Sequence, residues 1–207
     1  MALILNWYKN ICTLDRFTKA GWDEASLDYT GAELSGKTVG ILGLGAIGRR
    51  VAQLCTAFDM RVLGYTRSPV DLPGVVLAPL DRLYGESDVV SVHMPLNDAT
   101  YHMIDRKAFA AMKETALFVN TARGAIAAEE DLIEALRTRR IGGACLDVYG
   151  EEPLPADSPL LRLPNVILTP HTAGLPDGAK FHEKRYAFFV SNITKLLNGQ
   201  TPDNALN

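Results

Sequence analysis

From Thr38 to Gly48 the chain reads Thr-Val-Gly-Ile-Leu-Gly-Leu-Gly-Ala-Ile-Gly, a spacing that could hold a dinucleotide. A short apolar run breaks into Gly43, Gly45 and Gly48, the G-x-G-x-x-G pattern, and a helix-forming stretch over 49–58 follows. Each glycine has its own task. Gly43 permits a tight turn, Gly45 lets the backbone approach a pyrophosphate, and Gly48 lets the helix pack closely on its strand. The helix N-terminus would add unpaired N–H groups and its positive dipole end. Three later segments carry residues that can bind anions or move protons. They are Asn120-Thr121-Ala122-Arg123-Gly124, then Asp147 to Pro153 with Glu151 and Glu152, and Thr169-Pro170-His171-Thr172-Ala173-Gly174. Singly, a loop histidine is a surface residue more often than a catalyst, and Arg123 could simply pair with a nearby carboxylate. Together they gain weight, because each follows a predicted strand.

Those strands are short apolar runs at Thr38–Leu42, 61–66, Val75–Leu77, 88–93, 116–120, 143–148 and Val166–Leu168. Helical stretches separate them, notably 106–112 and 129–138. The second has Glu129, Glu130 and Asp131 in its first turn, where the helix dipole favours carboxylates. A final helix over 181–197 is stopped by Gly199 and Pro202. Alternating strands and helices predict an α/β fold, a doubly wound parallel sheet of the Rossmann type covered on both faces. Ligands of such a sheet bind beyond the carboxyl ends of its strands, where all four segments fall. The expected organisation is a helix and loop over 1–24, a dinucleotide-binding domain over 25–174, and a helix and tail over 175–207. Ile4, Trp7, Ile11, Leu14 and Phe17 recur at steps of three and four, which predicts one amphipathic helix over 2–20 with no evident cover for its apolar stripe.

Composition narrows the partners. The 207 residues are 47% hydrophobic and 22% charged, ordinary for a globular protein. A net charge of −3 gives no electrostatic footprint for nucleic acid. Arg137, Arg139 and Arg140 are the densest basic cluster, and they close a predicted helix where cations suit the dipole. No apolar run reaches transmembrane length, so no membrane partner is expected. Three cysteines without C-x-x-C pairing fit free thiols in a reducing cytoplasm, and the four histidines show no metal-binding spacing.

The sequence resembles the nucleotide-binding half of the D-isomer-specific 2-hydroxyacid dehydrogenases along nearly its whole length. Besides the glycine turn, the resemblance rests on His93-Met94-Pro95-Leu96 with Thr100, on Val119 to Gly124, on Leu146-Asp147-Val148 leading to Glu152-Pro153, and on Thr169-Pro170-His171. It implies hydride transfer between a nicotinamide cofactor and a small 2-hydroxy or 2-oxo acid. It also implies roles: Arg123 binds the substrate carboxylate and polarises the carbonyl, His171 is the acid/base, and Glu152 orients it. Spacing alone leaves Glu151 and Glu152 equal; the family pattern favours the glutamate before proline. Cofactor contacts carry over to Gly43, Gly45, Ala46, Ile47 and Gly48, to Thr66, Arg67 and Ser68, and to His93, Pro95 and Thr100. Thr121, Ala122, Asp147 and Gly174 complete them, Asp147 matching the residue that holds the nicotinamide carboxamide. The chemistry agrees, since reduction of a ketone needs a proton donor of near-neutral pKa, and a planar arginine fork suits a 2-oxo carboxylate.

At the end of the second strand, NAD-preferring members have an acidic residue for the ribose 2′-hydroxyl. Here Thr66 stands there, followed by Arg67 and Ser68, so NADP(H) is expected over NAD(H). Most of the family's N-terminal substrate domain has no counterpart in this sequence. That predicts a fragment or short form with weak turnover. The equivalent helix of family members lies in a two-fold contact, which makes a homodimer the expected assembly. A different class of function, a non-catalytic dinucleotide-binding module of the corepressor type, is distinguished by whether the chain turns over a 2-oxo acid.

Overall fold

A computed structural model of the chain describes residues 1–23, 31–68, 70–174 and 178–203. Of the loop expected over 21–36, the part at 24–30 lies outside them. The chain falls into two compact units, Met1–His171 and Thr172–Asn207.

The first unit is built on seven parallel strands: β1 (Thr38–Leu42), β2 (Arg61–Tyr65), β3 (Val75–Leu77), β4 (Val89–Val92), β5 (Leu117–Asn120), β6 (Gly143–Leu146) and β7 (Val166–Leu168). Their order is β3-β2-β1-β4-β5-β6-β7. The winding therefore reverses between β1 and β4, and the glycine turn leaves β1 at that point. Because every pairing is parallel, all carboxyl ends lie along one edge. This is the doubly wound fold read from the sequence.

Alternation along the strands feeds two cores. Phe118, Ala144 and Leu146 point to one face, where they meet α4 (Leu80–Glu86), α5 (Arg106–Ala111) and α6 (Glu129–Arg137). Phe118 packs edge-to-face on Phe109 of α5 with ring centroids 5.4 Å apart. Val39, Ile41, Leu117, Val119 and Cys145 point to the other face, against α3 (Ala46–Ala57) and α1 (Ala2–Lys9). Asp105 caps α5 by accepting from the Lys107 and Ala108 N–H groups at 2.9 and 3.0 Å.

The N-terminal segment differs from the single uncovered helix expected over 2–20. It is two helices, α1 and α2 (Ile11–Lys19), broken at Asn10, whose φ is 50°. Asn6 Oδ1 accepts the Cys12 N–H at 2.9 Å, so a side chain supports the start of the second helix. The break divides the stripe. Ile4 is buried in the second core and the Trp7 ring lies over Gly143 of β6, while Ile11 stays 54% exposed. The sheet thus covers the first half only.

In the second unit α7 (Gly178–Leu197) starts three residues before the stretch expected at 181. Beyond it Gly199, at φ 70°, ends the helix, and Asp203 returns to Asn192 and Lys195. No helix among the described residues is long and apolar enough to cross a membrane.

Candidate functional site

The glycine turn divides its labour as its spacing suggests. Gly43 has φ +97°, a conformation that L side chains rarely adopt, and a Cβ there would lie 2.8 Å from the His93 carbonyl carbon and oxygen. A Cβ on Gly48 would collide with the Gly43 carbonyl oxygen. Gly45, the N-cap of α3, faces open space: a Cβ would meet nothing within 4 Å. Arg49 Nε donates to the Leu44 carbonyl at 2.9 Å and steadies the turn. Ala46, Ile47 and Gly48 form the first turn of α3, with Ile47 well exposed.

Beside the turn lies a cavity of about 290 Å³ between the ends of β1, β2 and β4. Gly43, Gly45, Thr66, Arg67, Ser68, His93, Pro95 and Thr100 all line it, so the structure gathers eight separately nominated positions into one site. Arg67 and Ser68 are exposed at its rim. Thr100 Oγ1 donates to the Pro95 carbonyl at 2.7 Å and closes the loop after β4. Burial pushes His93 down to about 4, so its imidazole is neutral at physiological pH. Its Nε2 lies 2.9 Å from Ser91 Oγ, a buried hydroxyl that the sequence reading passed over. An open Gly45, a helix N-terminus and a rim cation are what a dinucleotide phosphate requires, and the cavity fits one.

Further along the same edge, the loops after β6 and β7 meet. His171 Nδ1 lies 2.6 Å from Glu152 Oε2, and Glu152 Oε1 accepts the Tyr149 N–H at 3.0 Å. The hydrogen bond from His171 is the main reason that the Glu152 carboxyl titrates below its usual range. Of the two glutamates open on spacing, Glu152 is the one paired with His171. His171 has φ 52°, left-handed for a non-glycine residue, which is strain of about 1–3 kcal/mol that concentrates at functional sites. A second cavity, about 590 Å³, adjoins the pair and is walled mainly by Leu154, Leu161, Leu168, Pro153 and Pro170.

Arg123 stands at the end of β5. Buried Asn120 shapes its turn, donating to the Arg123 carbonyl at 2.9 Å and accepting from the Ala122 N–H at 3.1 Å. Gly124 lets this turn press against the Tyr149 carbonyl, where a Cβ would clash, so the arginine loop seats directly on the loop of Glu152. The exposed guanidinium bonds only to its neighbour's Ala122 carbonyl, at 2.6 Å, and makes no ion pair among the described residues. Thr121 and Ala122 are half-buried beside it. Asp147, buried at the end of β6, accepts from Thr169 Oγ1 at 2.5 Å. Gly174 belongs to the second unit. The sequence reading missed Tyr149 and Glu129; Glu129 accepts the Gly150 N–H at 2.8 Å and so braces the loop that carries Glu152.

Comparisons with known proteins match the sheet architecture. A family model described as "D-isomer specific 2-hydroxyacid dehydrogenase, NAD binding domain" matches residues 1–173. A glyoxylate reductase of Thermofilum pendens is 38% identical over 215 residues, covering 100% of this chain and 63% of the relative. The chain thus spans a little under two thirds of the length of that curated relative. Among solved structures, D-lactate dehydrogenase with NAD+ from Lactobacillus jensenii superposes with a TM-score of 0.86 at 30% identity, covering 100% of this chain and 66% of the other. An NADPH-dependent glyoxylate/hydroxypyruvate reductase from Sinorhizobium meliloti, in complex with NADP and sulfate, gives a TM-score of 0.86 at 26% identity and the same coverage.

Proposed function

The chain belongs to the D-isomer-specific 2-hydroxyacid dehydrogenase family, and we propose that it is the nucleotide-binding part of an oxidoreductase that reduces small 2-oxo acids. The observation that carries this reading is the 2.6 Å contact between His171 Nδ1 and Glu152 Oε2, on the sheet edge that also holds the glycine turn. When bound, a reduced nicotinamide supplies a hydride for the carbonyl carbon. Gly43, Gly45 and the first turn of α3 would hold the pyrophosphate, and Asp147 would take the carboxamide. Arg123 binds the substrate carboxylate through its fork and draws negative charge toward the carbonyl oxygen. With Nδ1 committed to Glu152, Nε2 of His171 is left to give its proton to that oxygen, and the carboxylate holds the ring in place. The test is oxidation of NADPH by the chain with glyoxylate, hydroxypyruvate or pyruvate. Measurable turnover with any of them is expected; cofactor binding without turnover of all three supports the corepressor-type alternative instead.

NADP(H) is the proposed cofactor. Thr66 presents no carboxylate to repel a 2′-phosphate, and Arg67 and Ser68 sit exposed at the rim of the cavity. A hydrogen bond to a charged group contributes about 1.5–3 kcal/mol. Arg67→Ala should therefore weaken NADP(H) by roughly 10- to 100-fold in a fluorescence titration while NAD(H) changes little. Equal losses for both nucleotides, or tighter NAD(H) binding by the parent chain, would overturn the preference.

A homodimer is the proposed assembly. Ile11 is exposed on α2, with Leu14 and Phe17 only half covered, and α7 exposes Phe189, Val190 and Ile193. Burying one such side chain is worth about 2 kcal/mol. Light scattering at micromolar concentration should give twice the chain mass, and Ile11→Glu should shift it toward the monomer. A parent chain that stays monomeric sinks the proposal. The unpaired thiols of Cys12, Cys55 and Cys145 support a cytoplasmic setting.

A further inference from the structure

Tyr149 touches Glu152 directly with its backbone and reaches His171 through the Thr169 carbonyl with its hydroxyl. Its backbone N–H donates to Glu152 Oε1 at 3.0 Å, while the other oxygen of that carboxylate meets His171 Nδ1. Its hydroxyl donates to the Thr169 carbonyl at 2.8 Å, and the same carbonyl accepts the backbone N–H of His171 at 3.1 Å. These contacts close a ring: Tyr149 N–H, Glu152, His171, the Thr169 carbonyl and the Tyr149 hydroxyl. The residue is only 8% exposed and its ring packs in the first core, so the hydroxyl has a fixed origin. Burial also raises the phenol above its ordinary range, which keeps the proton on the oxygen and the hydroxyl a donor. The backbone of His171 is left-handed at φ 52°, a conformation that persists only where surrounding contacts enforce it.

We propose that Tyr149 is a positioning residue: its hydroxyl locks the loop after β7 against the loop after β6 and so seats His171 on Glu152. The catalytic consequence rests on His171 being the proton donor proposed above; the seating itself does not. Other ties between the two loops, Thr169 Oγ1 to Asp147 Oδ1 and the Thr169 N–H to the Leu146 carbonyl, lie two residues upstream of the histidine.

Tyr149→Phe removes the hydroxyl and keeps the ring, so the core packing stays. Two readouts separate positioning from simple stability. The first is the Nδ1 proton of His171 in proton NMR spectra of the chain, identified by its loss in His171→Gln. In the parent it should lie far downfield, as a short hydrogen bond to a carboxylate requires, and Tyr149→Phe should move it upfield and speed its exchange with water. The second is the kinetics with NADPH and a 2-oxo acid. There kcat should fall roughly three- to tenfold with the KM for NADPH unchanged. The acid limb set by Glu152 should also move to higher pH, because a loosened histidine lowers that carboxyl less. Thr169→Val, which deletes the Asp147 tie but keeps the Thr169 carbonyl, should leave the His171 resonance in place. Parent-like resonance and acid limb in Tyr149→Phe would overturn the proposal whatever happens to its melting temperature. So would an equal disturbance in Thr169→Val, since that means general softening of the loop. If the parent reduces no 2-oxo acid, the oxidoreductase reading fails while the His171 resonance still decides the role of Tyr149.

Discussion

His171→Gln should lower kcat for 2-oxo acid reduction by roughly 10²–10⁴-fold, the usual contribution of a positioned general acid, while the affinity for NADP(H) stays near that of the parent. The two parts of that expectation come from different places on the sheet edge. The histidine is paired with Glu152 beyond β6 and β7, whereas the nucleotide cavity is lined from β1, β2 and β4. Glu152→Gln should cost less, because it leaves an imidazole near the carbonyl oxygen without its carboxylate. Since Glu152 acts through His171, the double variant should be no slower than His171→Gln alone; groups that act as a unit are not additive. The pH profile carries the sign. The carboxyl of Glu152 is held below its usual range by the bond from His171, so the pair is intact above that lowered value and is lost as pH falls through it. The parent should show that acid limb and Glu152→Gln should lack it. Steady-state kinetics together with a nucleotide titration check all of this. A His171→Gln variant within a few fold of the parent kcat would remove the histidine from the mechanism.

The sheet and much of this site were legible because the relevant signals are local. Val39 to Leu42, Leu117 to Val119 and Ala144 to Leu146 are buried runs on both faces of a parallel sheet, and such strands read as continuous apolar stretches. The turn between Gly43 and Gly48 joins neighbours in sequence, so its spacing already encodes its geometry. Helix α4 was missed because it is only seven residues long, starts after Pro79 and contains Gly85, so it presents fewer than two clear periods. The break at Asn10 escaped for the opposite reason: the steps of three and four run on through it, and one left-handed residue does not alter the pattern of its neighbours. Asparagine at that point was the available clue. Tyr149 was illegible for a more basic reason. Its partner Thr169 lies 20 residues away on another strand end, and nothing in the composition of either segment announces the contact. The same holds for Trp7, which finds cover only because Gly143 of a distant strand has no side chain.

Gly48→Ala should lower both stability and cofactor affinity, and Gly45→Ala should lower the second alone. A Cβ on Gly48 would collide with the Gly43 carbonyl oxygen and stand 3.0 Å from its carbon and 3.4 Å from His93 Cβ. The colliding atoms are backbone, and that backbone has little room to move. The Gly43 N–H is bound to the Tyr65 carbonyl at 2.9 Å, its φ is +97°, and a Cβ on it would already lie 2.8 Å from the His93 carbonyl. Relief must come from lifting the start of α3 off the sheet, which works against the buried Ala52 and Cys55 further along the helix. Overpacking of this kind costs about 3 kcal/mol. For a chain of this size that is a fall in Tm of roughly 6–12 °C. The N–H groups of α3 that would face the phosphates move with the helix, so NADP(H) affinity should drop by about tenfold or more. Gly45 gives the internal contrast. It has φ −71°, which any residue can adopt, and a Cβ there touches no atom of the protein. The added methyl would instead occupy the space into which a pyrophosphate must fit. Gly45→Ala should thus keep the parent Tm within about 2 °C, the change expected of a surface substitution, and still bind nucleotide poorly. Thermal melts with and without NADPH separate the two effects. A Gly48→Ala chain that melts with the parent would show that α3 is not seated on the glycine turn, and a Gly45→Ala chain that binds NADPH normally would show that the phosphates lie elsewhere.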